Sequence, residues 1–328
     1  MLEVVPGIYQ LTLPSPGRLE EVKVYFIRGD GGVLVDTGWD TPESFAALKR
    51  QMSEVGFEVK DIRQIVLTHF HPDHYGLARR LKELSGAEVW LHEMEENFIN
   101  SRYLRPAELA REMGRWLEAN GVPKGELEAL ERASLGMVKY VSPVLPDRTF
   151  SGGERLPTGE FEFQVIWTPG HSPGHVCLYE PSRKVLICGD HLLAGITPHV
   201  GLHLQSSGSP LDDYLRSLDL ISRLEIKLAL PGHGPSFGRV KERIEELRRH
   251  HRWRKAAILT QMKEAKTAYQ IAQELPWALE SGGVGYDDLG ALDKRLAMTE
   301  TLAHLESLRR EGKVERISRG DLSLYQKI

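Results

Sequence analysis

Apolar positions in the first ninety residues come in short alternating or continuous runs that read as strands. Ile8 to Leu13, Val22 to Ile27 and Val33 to Val35 are three such runs, with Gly and Pro between them. Asp30-Gly31-Gly32 has the turn chemistry of a hairpin joining the second to the third. Thr41-Pro42-Glu43 places an N-cap residue before a Pro at the first helical position, opening a helix to about Val55. Ile65-Val66-Leu67 then reads as a buried strand. Tyr75 to Leu84 follows as a helix with Leu77, Leu81 and Leu84 at helical spacing, and Glu88 to His92 as another strand. Strands alternating with helices predict an α/β architecture.

From about residue 93 to 147 strand patterning stops. Leu104, Leu109, Met113, Trp116 and Leu117 mark one helical face, and Leu127, Leu130, Leu135 and Val138 a second, so this stretch reads as a helical insertion. Its aromatic and Met side chains fit an insertion core, with one or two at a substrate rim. Strands resume at Phe161 to Trp167, Val176 to Tyr179 and Val185 to Cys188. A helix over Leu211 to Leu224 and a strand over Ile226 to Leu230 follow. Beyond residue 240 a charged helix runs to about Lys263. A short helix is expected from Ala268 to Leu275. A Gly-rich break at Ser281 to Gly285 precedes a long helix, Ala291 to Arg310. Val314 to Ile317 and Leu322 to Tyr325 flank a turn. Three helices and a hairpin describe a winged helix. The predicted division is thus 1–240 for the α/β domain and 241–328 for a linker helix and winged helix.

Composition narrows the function classes. A 41% apolar share over 328 residues supports a sizeable core, and a net charge of −4 gives no global attraction to nucleic acid or anionic membranes. The last 89 residues are mildly basic, with 17 Lys/Arg against 14 Asp/Glu. No apolar run has the length of a transmembrane helix, and the first residues lack a basic start and long apolar segment, so a cytoplasmic location is the expectation. Cys177 and Cys188 sit in strand-like runs and are expected as buried free thiols.

Chemistry concentrates where the strand ending at Leu67 meets the following helix. Thr68-His69-Phe70-His71-Pro72-Asp73-His74 packs three of the chain's 13 His and one Asp into six positions. On an extended segment His69, His71 and Asp73 would share a face, while His74 departs with the turning chain. Imidazole and carboxylate suit zinc, iron or manganese. Three later strand-end loops carry matching residues: His171 in TPGHSPGH, Asp190 in CGDH and His233 in PGHG. Seven ligands divide between two divalent metal ions. His69, His71 and His171 form one site, Asp73, His74 and His233 the other, and Asp190 bridges. Two metals about 3.5–4 Å apart can hold a bridging hydroxide as nucleophile, with no Ser, Cys or Lys needed.

In this order, HFHPDH, TPGH, GD and PGHG resemble the metallo-β-lactamase superfamily, over roughly Pro6 to Gly238. The resemblance implies an αββα sandwich with the metals at one edge between the sheets, here with a helical insertion and a C-terminal winged helix. It also implies that Asp36, in VDTG, supports the ligand loop. Asp190 stands where metallo-β-lactamases proper usually carry Cys, which resembles glyoxalase II, lactonases and nucleases and disfavours antibiotic hydrolysis. The added tail resembles the beta-lactamase-like protein 2 group and its bacterial relatives.

These residues lead to a dinuclear hydrolase, with zinc the expected metal, in which a metal-bridging hydroxide attacks an ester, thioester or lactone. Asp190 and Asp73 are the candidate catalytic carboxylates, Asp73 as a proton shuttle. Two alternatives stay open: cleavage of single-stranded RNA, which the basic run Arg248 to Lys255 would favour, and a mononuclear iron persulfide dioxygenase. His199 and His203, in the loop after Asp190, are candidate substrate contacts against a plainer reading as surface histidines. His175 and His191 exceed the seven ligands and are expected to support them. No membrane partner is expected, and a homo-oligomer is left open.

Overall fold

The computed structural model describes all residues except 17, 18, 30, 134, 207 and 279–281. The hairpin turn expected at Asp30 and the start of the Gly-rich break at Ser281 therefore lie outside the described residues.

Seven strands form the first sheet in sequence order: β1 (Leu2–Val5), β2 (Ile8–Pro14), β3 (Glu21–Ile27), β4 (Gly32–Val35), β5 (Ile62–Val66), β6 (Glu88–His92) and β7 (Arg148–Phe150). β1 to β4 pair antiparallel and β4 to β7 parallel. The parallel half needs crossovers, supplied by α1 (Pro42–Ser53) before β5 and by α2 (Pro72–Tyr75) and α3 (Ala78–Ser85) before β6. Thr41 caps α1 through its side chain, accepting from the Ser44 N–H at 3.1 Å, with Pro42 at the first position. The second sheet runs β12-β11-β10-β9-β8, from β8 (Arg155–Thr158), β9 (Phe161–Trp167), β10 (Val176–Glu180), β11 (Val185–Gly189) and β12 (Leu228–Pro231). Cys177 and Cys188 are buried free thiols on its adjacent strands β10 and β11.

Strand period two builds the layers. On β3, Val22, Val24 and Phe26 join the core beneath α1 and α3, while Tyr25 and Ile27 face the second sheet. On β10 and β11, Val176, Leu178, Val185 and Ile187 meet that same inter-sheet core. Cys177, Tyr179, Leu186 and Cys188 face α8 (Pro210–Ser222), outside it. The result is helix, sheet, sheet, helix. The three strands not expected from sequence, β1, β7 and β8, are all sheet edges. Their outward positions are exposed, so the apolar alternation that marks a strand is weak.

Between residues 93 and 147 the described residues hold only helical elements and loops. These include α4 (Glu96–Ile99), a π-helical turn at Asn100–Leu104, α5 (Pro106–Ala119), α6 (Lys124–Arg132) and α7 (Leu135–Val138). After β12 come α9 (Val240–Gln261), α10 (Ala268–Gln273), α11 (Ala291–Arg310) and the antiparallel pair β13 (Val314–Arg319) and β14 (Leu322–Lys327). The 93–147 helices do not make a core of their own. Met113, Leu117, Val122 and Leu130 bury themselves together with Ile258, Ile271, Met298, Leu302 and Leu305 of the tail. Phe98 and Tyr103 join the core of the first sheet instead. α9, which begins at residue 240, packs against both regions. Val240, Ile244 and Leu247 pack against the second sheet's outer face, and Ile258 lies in the shared core. No helix among the described residues is long and apolar enough to cross a membrane.

Candidate metal centre

The histidine loop leaves the end of β5 and turns at once into α2, with His71 as its N-cap. His69 and His71 are still extended and come together, His69 Nε2 lying 3.0 Å from His71 Nδ1. Asp73 is already helical, so it does not share their face as strand alternation would have it. The helical turn carries Asp73 and His74 together toward His233. Gly76 ends that turn where a Cβ would lie 2.6 Å from the Pro72 carbonyl and 2.8 Å from the backbone of Gly38 and Asp40. The helix expected from Tyr75 starts only at Ala78, as α3.

The later strand ends bring in the remaining residues. Three groups form, each with its ligand atoms within 4.8 Å of one another: His69, His71 and His171; His69, His74 and Asp190; and Asp73, His74 and His233. Asp190 lies between the outer two, with Oδ1 3.4 Å from His74 Nε2 and Oδ2 3.6 Å from His171 Nε2 and 3.7 Å from His233 Nε2. Gly232 permits this approach, since a Cβ there would meet Asp190 Oδ1 and His74 Cε1 at 2.6 Å.

The outward nitrogen of most of these rings is fixed by the protein. Asp36, held at φ 62° at the end of β4, accepts from the Thr68 N–H at 2.8 Å and faces His74 Nδ1 at 2.8 Å. Its carboxylate also accepts a hydrogen bond from the Thr68 hydroxyl at 2.9 Å, so that hydroxyl's oxygen accepts from His69 Nδ1 at 3.0 Å. His171 Nδ1 donates to the His199 carbonyl at 2.8 Å, and His233 Nδ1 to the Glu21 carbonyl at 2.9 Å. Each of these rings is thereby turned with its Nε2 toward the centre, where it offers a lone pair once the ring is neutral. His74 Nε2, His171 Nε2 and Asp190 Oδ1 are buried without any hydrogen-bond partner. Orphaned buried acceptors are costly unless something satisfies them, and metal ions fit this donor set.

Burial pushes His69, His71 and His171 below the usual imidazole range, so they are neutral. Burial acts the same way on His74, but the carboxylates of Asp190, Asp36 and Asp73 outweigh it and hold His74 well above that range. Burial would raise Asp190, yet His233, His74 and His171 keep it well below the ordinary carboxylate value. A cation entering this centre displaces protons from the raised imidazoles.

His175 and His191 play different parts. His175 Nε2 accepts from the Asp190 N–H at 3.2 Å, and its Nδ1 meets Thr168 Oγ1, at the other end of its own loop, at 2.9 Å. His191 is buried, packed edge-on to Tyr214. His199 and His203 are not surface residues. Both are half-buried and line a cavity of about 520 Å³ that opens from the metal centre. Burial, then the charges of His171, Arg102 and Arg295, pushes His199 down to about 3, so its ring is neutral, not an imidazolium acid, near neutral pH. The cavity's other walls come from the 93–147 helices and from α11. α11 also straps the loop after Asp190, since Thr299 Oγ1 meets His199 Nε2 at 3.2 Å and the Thr299 carbonyl accepts from the Leu202 N–H at 2.9 Å.

Glu95 belongs to the same scaffold, though no sequence pattern singles it out. Fully buried, it accepts from the Phe70 N–H at 3.0 Å and the Ser172 hydroxyl at 2.8 Å, tying the His69–His71 loop to the His171 loop. Burial raises its carboxyl to about 7 against the pull of those donors. Nothing local marks it among the acidic residues Glu93 to Glu96, because its partners are 25 and 77 residues away.

Imidazoles and carboxylates converging at the strand ends of two facing sheets, at the foot of a cavity, define a metal-dependent enzyme. Residues 17–233 match the pattern of the Metallo-beta-lactamase superfamily. The chain is 30% identical over 313 residues to the "Probable metallo-hydrolase YqjP" of Bacillus subtilis (strain 168), covering 93% of this chain and 92% of that one. It is 25% identical over 276 residues to the beta-lactamase-like protein 2 homolog of Caenorhabditis elegans, covering 81% and 76%. A crystal structure of a metallo-beta-lactamase family protein from Thermus thermophilus superposes with a TM-score of 0.85 at 33% identity, over 99% of this chain and 100% of that one. The chain belongs to the metallo-beta-lactamase superfamily and is a metal-dependent hydrolase.

Proposed function

We propose that the hydrolase acts on the carbonyl of a small ester, thioester or lactone, using two zinc ions. His69, His71 and His171 would hold one ion, and Asp73, His74 and His233 the other, with Asp190 shared between them. The observation that carries this reading is the trio of buried, partnerless acceptors on His74, His171 and Asp190, which converge from three separate loops. When bound, the ions would acidify a water molecule to a pKa of about 7 and polarise the carbonyl. The chain's own residues do the rest. Asp36, Thr68 and the carbonyls of His199 and Glu21 orient the imidazoles. Asp73, 3.0 Å from His233 Nε2 through Oδ2, has a second oxygen with which to take the proton lost during attack. The 93–147 helices and α11 wall the cavity beside the centre.

The tail supports a small-molecule substrate over RNA. Its three helices and hairpin, at 241–328, read as a linker helix and winged helix packed against the 93–147 helices through a shared core. Its long helix α11, however, is buried on most sides, at Ala297, Met298, Thr301, Leu302, Leu305 and Leu308 among others. A groove-reading helix needs a free face. The basic run of α9 is largely engaged within the protein. Arg248 pairs with Asp219 and Glu245, Arg254 with Glu300 at 3.4 Å, and Lys255 with Glu311 at 2.6 Å.

The test is a metal-defined screen of esters, thioesters, lactones and single-stranded RNA oligomers, run beside elemental analysis. Two zinc ions per chain with ester or thioester turnover is the expected result. One iron per chain, or RNA cleavage without ester turnover, would overturn the reading.

A further inference from the structure

The two trios of metal-facing residues are held by different parts of the fold. Asp73, His74 and His233 depend on loops of the first sheet. The Thr37 N–H donates to the His74 carbonyl at 2.7 Å, and the Thr37 hydroxyl donates to the same oxygen at 2.8 Å. Asp36 faces His74 Nδ1, and the Glu21 carbonyl accepts from His233 Nδ1.

His69, His71 and His171 converge instead on Glu95. This residue ends the 3-10 turn Glu93–Glu95, directly after β6, and is fully buried. Its Oε2 accepts from the N–H of Phe70, the residue between His69 and His71. Its Oε1 accepts from the Ser172 hydroxyl and the Gly174 N–H, in the loop that carries His171. A side chain at Gly174 would block this approach, since a Cβ there would lie 2.6 Å from Glu95 Cγ and 3.0 Å from His92 Cβ. The Tyr103 hydroxyl donates to the Phe70 carbonyl at 2.8 Å, so Phe70 is fixed at both its N–H and its C=O.

This hold matters most for His71. His69 and His171 have outer partners at Nδ1, in Thr68 Oγ1 and the His199 carbonyl. Among the described residues the His71 ring has only His69 as a hydrogen-bond partner. Its direction is therefore set by its backbone, and Glu95 and Tyr103 set that backbone. Tyr103 packs in the core of the first sheet rather than in the core shared with the tail, so the hold belongs with the strand ends.

We propose that Glu95 is a positioning residue for one metal site alone, the His69, His71 and His171 trio, and sets that site's affinity independently of the Asp73, His74 and His233 trio. Both of its oxygens act as acceptors, which a carboxylate supplies and an amide does not. Glu95→Gln keeps the side chain's size but turns an NH2 group either on the Phe70 N–H or on the Ser172 and Gly174 donors. It removes no metal-facing atom. The proposal rests on the two-ion reading of the centre, and its test separates the two.

Zinc affinity is measured by chelator competition, and zinc per chain by elemental analysis, in the full-length wild type and in two backgrounds that each leave one trio intact. His233→Ala leaves the first trio and His171→Ala the second. Adding Glu95→Gln should weaken zinc binding about 10- to 100-fold in the His233→Ala background and less than about 3-fold in the His171→Ala background. Ser172→Ala, which removes one donor to Glu95, should weaken the first trio by a smaller factor, and it decides the question if Glu95→Gln does not fold. A merely structural role would lower both affinities or neither, so one-sided loss supports the assignment. Equal loss in the two backgrounds, no loss in the first, or a His233→Ala protein that holds no zinc overturns it. A wild type that takes a single zinc ion removes the two-ion reading, while the contrast between the two backgrounds still decides the role of Glu95.

Discussion

Between His69 and His74 each metal-facing ring or carboxylate is placed by a few residues of local chain, and most are steadied by a neighbour one layer out. The cavity wall facing that segment has another construction. Arg102 and Met113 come from the 93–147 helices, His199 and His203 from the loop after β11, and Arg295 and Thr299 from α11. Strand ends hold the first region on a sheet whose register is fixed by backbone hydrogen bonds. Side-chain packing between two helical segments more than a hundred residues apart holds the second. Chemistry placed on rigid strand ends, with recognition placed on a packed helical wall, lets one vary without disturbing the other.

The strongest way to break that separation is at the centre. Asp190→Ala should lower hydrolysis by about 10³-fold or more, because the charge stabilisation supplied by metals is worth several kcal/mol. Metal content per chain should fall with it, and a variant that keeps both full turnover and two metals would remove Asp190 from the shared position. Leu302→Ala attacks the wall instead. Leu302 is buried in the core shared by insertion and tail, and a cavity there should cost about 2–5 kcal/mol in denaturant unfolding. Hydrogen exchange should rise together in α5, α6 and α11 while metal content stays near that of the wild type. If metal is lost as well, the two regions are not independent.

Asp36→Ala sharpens the comparison from the other side. It removes the partner of His74 and Thr68 without touching a ligand atom, and should weaken metal affinity about 10- to 100-fold in a chelator competition. The smallest effect concerns the joint between α9 and α11. His251 Nδ1 lies 3.2 Å from His304 Nε2, and burial pushes His304 down to about 3. Its folded pKa is below its unfolded value near 6.5, so its contribution to stability is present above that value and declines as pH falls from 6.5 toward 3. His304→Gln should reduce the loss of unfolding free energy between pH 7.5 and 5.5 by about 1.4 kcal/mol, measured by urea titration. An unchanged pH slope would show that this pair does not titrate on unfolding.

Legibility followed sequence separation. HFHPDH could be read because its residues are adjacent, and Gly and Pro beside His171, Asp190 and His233 marked the loops that complete the set. Asp36 was legible only through the resemblance of VDTG to the family. Glu95 was not, since its role depends on the Phe70 and Ser172 groups it bridges, and neither leaves a mark at position 95. The edge strands β1, β7 and β8 were missed because half-exposed strands have little apolar alternation to show. His199 and His203 read as surface histidines, because a Gly- and Pro-rich loop looks exposed until α11 is packed over it.

Residue order alone was enough for the alternation of strands and helices and for the seven metal-competent residues, while the layering came with the family resemblance. The first two are properties of spacing along the chain, and strand and turn geometry convert spacing directly into direction. Three features needed the folded molecule: that the 93–147 helices and the tail share one core, that α11 faces inward, and that Arg102 and Arg295 meet the same cavity. Those are contacts between segments with no common periodicity. They exist because two helical surfaces, each too apolar to remain in water, bury against one another.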